Sequence, residues 1–486
     1  MTITGALTTN PGGTIATSLA GNSIYGNIVP SGSSNINAGG ITLIPTVTGV
    51  LTAGTEFTIV NGTSGTDGAP VNVQNTSPLY TFSTVPTALG AVRLVVETVP
   101  SATPVLATPV ADAVIGSPAA PGSNLSDVQT AIVTLPSLAA VNDALAQLAP
   151  GSTNLAAPWA AWQATRQFED LWMARLDEIQ DLCCETCRPK MQARQSIPSK
   201  CQNSEQRSNW WVKGFGNHGR QGDQDDLNGY RSRAGGLMLA YDMPLNNQTR
   251  IGLGAGYANT DIDGNNSSGQ TDVDSYQLTG YAHHTSGDAF IQGALMAGVD
   301  KYDSSRPIVF PGVNRSASAD FSGNQFTAVA TAGKHFSLNK TTITPIASLQ
   351  ASHVKVDSYT ESGAGDVNLR VKSQDYDFVQ SRLGVKAERV IQSGAKTFVP
   401  EVHLNWQHDL KSTATQQDAA FTGSGVYFAT DGIDQGRDLY NVGAGITLLS
   451  CNCGEKAWTV KGVYDYKWNS SDYSSNQLSL IVSRKW

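Results

Sequence analysis

The chain has 486 residues, enough for roughly two or three domains. Its formal net charge of -8 argues against a nucleic-acid partner, because phosphate binding needs clustered Lys and Arg. Charged residues are only 15%, yet no stretch approaches the roughly 18 continuous apolar residues of a membrane helix, so any membrane crossing must use strands with alternating apolar residues.

Residues 1–122 contain five charged residues, Glu56, Asp67, Arg93, Glu97 and Asp112, and no cysteine. Short β-branched runs such as Gly40-Ile-Thr-Leu-Ile and Glu56-Phe-Thr-Ile-Val sit between Gly, Asn and Pro turns. That pattern predicts all-β structure, either a few solenoid coils or a small sandwich. No fixed-period repeat separates the two. For residues 1–40 a Thr/Ser/Gly-rich stalk with little fixed structure fits the composition equally well.

Residues 123–157 read as a helical connector. Ser126 and Ser137 each stand as an N-cap before helical spacing. Leu138, Val141, Leu145 and Leu148 form one stripe, and Pro150-Gly151 ends it. A third helix is predicted from Pro158 to Leu182, opening a segment that runs to residue 204. Trp159, Trp162, Phe168, Leu171, Trp172 and Leu176 are interleaved there with Arg166, Glu169, Asp170, Arg175 and Asp177. Taken alone, this is an ordinary amphipathic helix packed on a domain.

From Trp210 onward the period is two. Tyr276 and Leu278 alternate with Gln277 and Thr279; Val402, Leu404 and Trp406 alternate with Glu401, His403 and Gln407. Such segments predict about twelve strands within residues 205–486, an even number as bacterial outer-membrane barrels require. The turns alternate. Met243–Thr249, Ser286–Asp288, Asn339–Thr341, Gln392–Ala395 and Cys451–Lys456 are short, whereas Gly219–Asn228, Ser304–Ser316, Tyr359–Asn368 and Ser412–Gly436 are longer and more polar. A soluble barrel would have the same period. Trp210, Trp211, Tyr241, Trp406, Trp468 and Trp486 near strand ends fit interfacial belts and favour lipid on the apolar face.

From Pro158 to Trp486 the ordered set resembles the autotransporter translocator family. It comprises an upstream helix, Trp210-Trp-Val-Lys-Gly-Phe-Gly, Gly235-Gly-Leu-Met-Leu-Ala-Tyr-Asp, Ile251-Gly-Leu-Gly-Ala-Gly-Tyr and a terminal aromatic residue. The resemblance implies a mainly β protein: a twelve-stranded antiparallel transmembrane β-barrel with a lumen α-helix, preceded by a small β-rich passenger remnant and short helices. Arg166, Glu169, Asp170 and Arg175 are then the expected polar contacts of the helix with lumen groups such as Lys461, Asp465 and Glu401. Leu478, Leu480, Val482 and Trp486 are the expected signal for the β-barrel assembly machinery. The family pattern further implies a monomer in outer-membrane lipid, with its amino-terminal segment at the cell surface. Some members release the passenger through an asparagine in the lumen helix; none lies between Ala156 and Leu182, so no cleavage of that kind is expected. An outer-membrane protein needs a secretory signal, and MTITGALTTNPGG carries none, so the chain is expected either to be missing its start or to begin downstream of the signal.

On this topology Cys183, Cys184, Cys187 and Cys201, between helix and first strand, and Cys451 and Cys453, in a short turn, share the periplasmic side. A disulfide from linker to turn is expected in that oxidising compartment. Cys184-x-x-Cys187 also permits a zinc site or free thiols. All seven histidines lie beyond residue 210, and no HExxH, GxSxG or phosphate loop occurs, so no catalytic, cofactor or metal residue is assigned. A passive pore and an adhesin active through a longer passenger are the competing readings.

Overall fold

The computed structural model describes residues 1–36, 40–62, 65–66, 70–85, 90–97, 107–178, 209–224, 227–393, 396–452 and 455–484. Twelve long strands form the barrel. They are β1 (Asn209–Gln221), β2 (Tyr230–Pro244), β3 (Thr249–Gly264), β4 (Gln270–Ser286), β5 (Ala289–Phe310), β6 (Val313–Lys334), β7 (Thr341–Val356), β8 (Gln374–Arg389), β9 (Lys396–Asp409), β10 (Asp438–Asn452), β11 (Glu455–Trp468) and β12 (Tyr473–Arg484). Neighbours in sequence pair antiparallel, and β12 returns to β1 with Trp211 opposite Ser483 and Gln221 opposite Tyr473. Every barrel strand therefore has two partners, which is the condition for crossing lipid without unpaired backbone groups.

The pleat sorts the side chains. Leu239, Leu253, Leu278, Leu295, Leu349, Leu383, Leu404 and Leu480 point outward and are exposed, while Thr279, Gln292, Gln325, Thr331, Gln350 and Gln477 point inward and are buried. A soluble barrel would reverse this. Trp210 is outward against Tyr241, with ring centroids 5.0 Å apart, and Trp406 and Trp468 are also outward. Trp211 corrects the belt expectation: as the next residue on a pleated strand it faces the lumen, where its Nε1–H donates to Tyr281 Oη at 2.9 Å. Trp486 lies outside the described residues.

The amino-terminal region is a solenoid. Gly13–Gly21, Ile41–Val47 and Val71–Val73 lie parallel and in register, with Gly13 beside Ile41 and Ile41 beside Val71. Leu7–Thr8, Ser34–Asn35 and Gly65–Thr66 form a second parallel stack. Leu19, Ile41, Leu43, Phe57, Ile59 and Leu94 fill the interior. The antiparallel pair Phe82–Val85 and Val92–Val96, laid on Glu56–Val60, closes one end.

Three short helices follow: α1 (Ala107–Ile115), α2 (Asn124–Val133) and α3 (Leu138–Leu148). The first is absent from the sequence-based expectation. The N-cap of α2 is Ser123 instead of Ser126, whereas Ser137 caps α3 by accepting from Ala140 N–H. Val141, Leu145 and Leu148 are buried, but Leu138, in the open first turn, is exposed.

Three of the long connections are structured. Residues 304–316, expected as a polar loop, continue the β5–β6 ladder as far as the Phe310–Val313 pair, because Ile308, Phe310 and Val313 bury against the helices. Tyr359–Thr360, Leu369–Val371, Gln416–Phe421 and Tyr427–Asp431 make a small sheet at the same end of the barrel. One apolar core thus runs from the solenoid through α1–α3 into this outer rim.

If the outward face meets lipid, a charge at its middle is costly. Leu295→Arg is expected to lose about 2–4 kcal/mol of folding free energy in lipid vesicles, as for midplane Arg in other barrels. Urea titration of the refolded chain measures it, with Thr279→Ser in the lumen as a near-neutral control.

Candidate functional site: the helix in the lumen

A barrel of this strand number has a lumen wider than its own side chains fill. The space is taken by α4 (Ser152–Glu178). The helix starts six residues before the expected Pro158, which lies inside it. A proline there removes the N–H that would bond the carbonyl of Asn154. That freed carbonyl accepts instead from Gln417 Nε2 at 3.3 Å, and Leu155 O accepts from Thr415 Oγ1 at 2.6 Å. The outer sheet thereby offsets the broken turn. The helix does contain one asparagine, Asn154, at the outer mouth.

From Leu155 to Met173 nearly every side chain of α4 is buried. Contacts come from all round the wall. Trp159 meets Tyr473 edge-on at 5.0 Å, and Trp162 stacks on Phe378 at 4.5 Å while donating to Ser352 Oγ at 3.0 Å. Thr165 donates toward Gln325 Oε1 at 2.8 Å and Gln277 Oε1 at 3.0 Å. Trp172 stacks on Tyr281 at 5.9 Å. Close approach is possible because β3 turns glycines inward: a Cβ on Gly256 would lie 2.5 Å from the Phe168 ring.

The charged contacts differ in partner from those expected. Asp170 bridges Arg382 Nη1 at 3.2 Å and Lys467 Nζ at 3.4 Å, and Glu169 reaches Arg382 Nη2 at 3.6 Å. Lys461 and Glu401 pair with each other across strands at 2.8 Å, and Asp465 holds His403 at 2.7 Å and Asn441 at 2.9 Å. Arg166 is 1% exposed. Its guanidinium lies 5.0 Å from the Trp162 ring, and its nitrogens have no hydrogen-bond partner among the described residues. The side chain of Arg175 is outside the described residues. Arg382 and Lys467 were legible in principle, as inward-facing cations in the period-two pattern.

Between Asp170, Met173, Arg382, His403 and Asp465 a cavity of about 130 Å³ remains on one side of the helix. The other predicted sites divide. Leu478 and Leu480 are exposed on the outward face of β12 and Val482 is half-buried. All six cysteines lie outside the described side chains. Among the described residues no His, Cys, Asp and Glu cluster of three or more could hold a metal.

Asp170→Ala should leave Lys467 without its helix carboxylate and Arg382 with Glu169 alone. The expected cost is about 1.5–3 kcal/mol, as for hydrogen bonds to charged groups. It would appear as faster hydrogen exchange in α4 of the detergent-solubilised protein, with the barrel ladder still protected.

Residues 210–450 match the family model described as the autotransporter β-domain. Among curated relatives, the extracellular serine protease of Serratia marcescens is 23% identical over 59% of this chain and 28% of its own length. Outer membrane protein A of Rickettsia conorii is 24% identical over 49% of this chain and 12% of its own. The chain therefore spans under a third of the length of either. Similar solved structures include the translocator domain of the autotransporter NalP from Neisseria meningitidis, 14% identical with a TM-score of 0.46, covering 67% of this chain and 98% of that one. The β-domain of the Bordetella autotransporter Brka is 16% identical with a TM-score of 0.41, covering 56% of this chain and 98% of that one. On its family match and its closed ladder with an apolar outer face, the region of residues 210–450 is an autotransporter β-domain, and it places this chain in the outer membrane.

Proposed function

We propose that the barrel anchors the chain and presents residues 1–151 at the cell surface, with α4 remaining in the lumen as the tether. The observation that carries this reading is direction. The solenoid and α1–α3 sit on the long connections, and α4 runs from there to Tyr281, near the short Ser286–Asp288 turn. In an outer-membrane barrel the long connections face outward. The passive-pore reading is less well supported, because α4 is gripped from several sides of the wall.

The assembly machinery is proposed to read Leu478, Leu480 and Val482, together with Trp486, and the barrel to act as a monomer. Its contribution is anchoring and passage, and within the lumen His403 pairs with Asp465 and Glu401 with Lys461. The protease activity in the name of the Serratia protein is said of that protein, and any activity or ligand of a passenger here is a separate question. The domain limits proposed are a solenoid and helical cap to residue 151, then tether, linker and barrel.

Two experiments test this. An epitope placed before Met1 is expected to be labelled, and removed by added protease, on intact cells; labelling only after permeabilisation would overturn surface display. For the cysteines we propose at least one disulfide between the Cys183–Cys201 linker and Cys451 or Cys453. The support is that the end of α4 and the β10–β11 turn lie at the same end of the barrel. Mass spectrometry of unreduced peptides should find that crosslink, and its absence would remove the proposed clip.

A further inference from the structure

Asn154 is held by more parts of the barrel than any use as a spacer would need. It is 3% exposed. Its Oδ1 accepts from Thr271 Oγ1 of β4 at 2.7 Å. Its Nδ2 donates to Tyr359 Oη of the outer sheet at 3.2 Å and more loosely to Ser304 Oγ of β5 at 3.5 Å. Its carbonyl, freed by Pro158, takes Gln417 Nε2. Those partners are 117, 150, 205 and 263 residues away in sequence, so they converge only on the finished barrel.

Along its alanine rows the packing below is less discriminating. Ala156, Ala160 and Ala164 recur at four-residue spacing, as do Ala157 and Ala161. Sliding α4 by one turn would replace alanine with alanine along these rows, about 5.4 Å along the axis. Trp162 against Phe378 and Ser352, Phe168 in the space over Gly256 and Asp170 between its two cations oppose such a slide from the middle and inner parts of the lumen. At the outer mouth the burden falls on Asn154. A chain slipped by four residues would offer Pro150 or Pro158 to hydroxyls that need an amide.

We propose that Asn154 is a positioning residue that sets the register of α4 in the lumen, and with it the point at which outward movement of the chain stops. Thr271, Ser304, Tyr359 and Gln417 form the socket. The inference rests on the tether reading above and adds a residue that fixes where the tether comes to rest. Three of the socket groups are hydroxyls, which donate or accept by rotating. An aspartate at 154 would therefore still be held, whereas a leucine of similar size would lose the side-chain bonds to Thr271, Ser304 and Tyr359 and keep only the carbonyl's bond to Gln417.

The test uses the full chain with p-benzoylphenylalanine in place of the half-buried Gln163. Irradiation followed by mass spectrometry reads which barrel residues face that position. The otherwise unaltered chain and Asn154→Asp are expected to crosslink at one shared site. In Asn154→Leu the share at that site should fall about tenfold relative to sites one turn away, the effect of losing one to two buried hydrogen bonds. A resistance of the barrel to unfolding by detergent without heat, unchanged in all three, separates register from folding. An unchanged crosslink site in Asn154→Leu would overturn the proposal. Failure of the surface-labelling experiment with crosslinks as expected would instead count against the tether's direction alone.

Discussion

Everything in this molecule depends on the closing of one hydrogen-bond ladder. A lipid core offers no partner for backbone N–H or C=O groups, so a strand can cross only when both of its edges are paired. The β12–β1 register satisfies the last two edges, and α4 needs no ladder because its bonds are internal. Once the ladder is closed, the pleat assigns one face to hydrocarbon and the other to an enclosed space. The exposed leucines and buried glutamines are two consequences of that single geometry.

The enclosed space then poses a packing problem. Twelve strands leave more room than their inward side chains fill, and α4 takes up most of it. The wall meets it unevenly. Inward glycines on β3 let Phe168 approach the backbone, while Arg382 and Lys467 supply cations on the opposite side. The polar residues of the helix are a response to this mixed wall, and a helix of uniformly apolar surface would strand the lumen charges without partners.

At the mouth, membrane protein and displayed segment merge into one body. The β5–β6 hairpin rises beyond the barrel, and Arg306 on it donates through Nε to Glu361 Oε1 at 3.0 Å and through Nη1 to Gln147 O at the end of α3 at 2.6 Å. Both charged side chains are almost fully buried. A buried pair is poor evidence of stability, but its directional bonds fix how α3 sits on the rim. Apolar residues from solenoid, helices and rim share the surrounding core, so the displayed part is packed on its anchor.

Period-two alternation, strand number and the amphipathic helix could be read from the chain itself, because each is a local property that the backbone imposes on neighbouring residues. Pattern alone did not separate the two faces of Trp210 and Trp211 as belt and lumen, although their adjacency held that information. It also missed the solenoid register: coils advancing from Gly13 to Ile41 and from Ile41 to Val71 differ in length, so no fixed repeat shows in the sequence. The choice of Arg382 and Lys467 over Lys461 as partners for the helix, the rise of residues 304–316 as a hairpin, and the start of α4 ahead of Pro158 were settled only in three dimensions. In each case the deciding partner lies far away in the chain, and burial or a freed carbonyl at that distance outweighs the local preference for a loop, a helix start or a nearby countercharge.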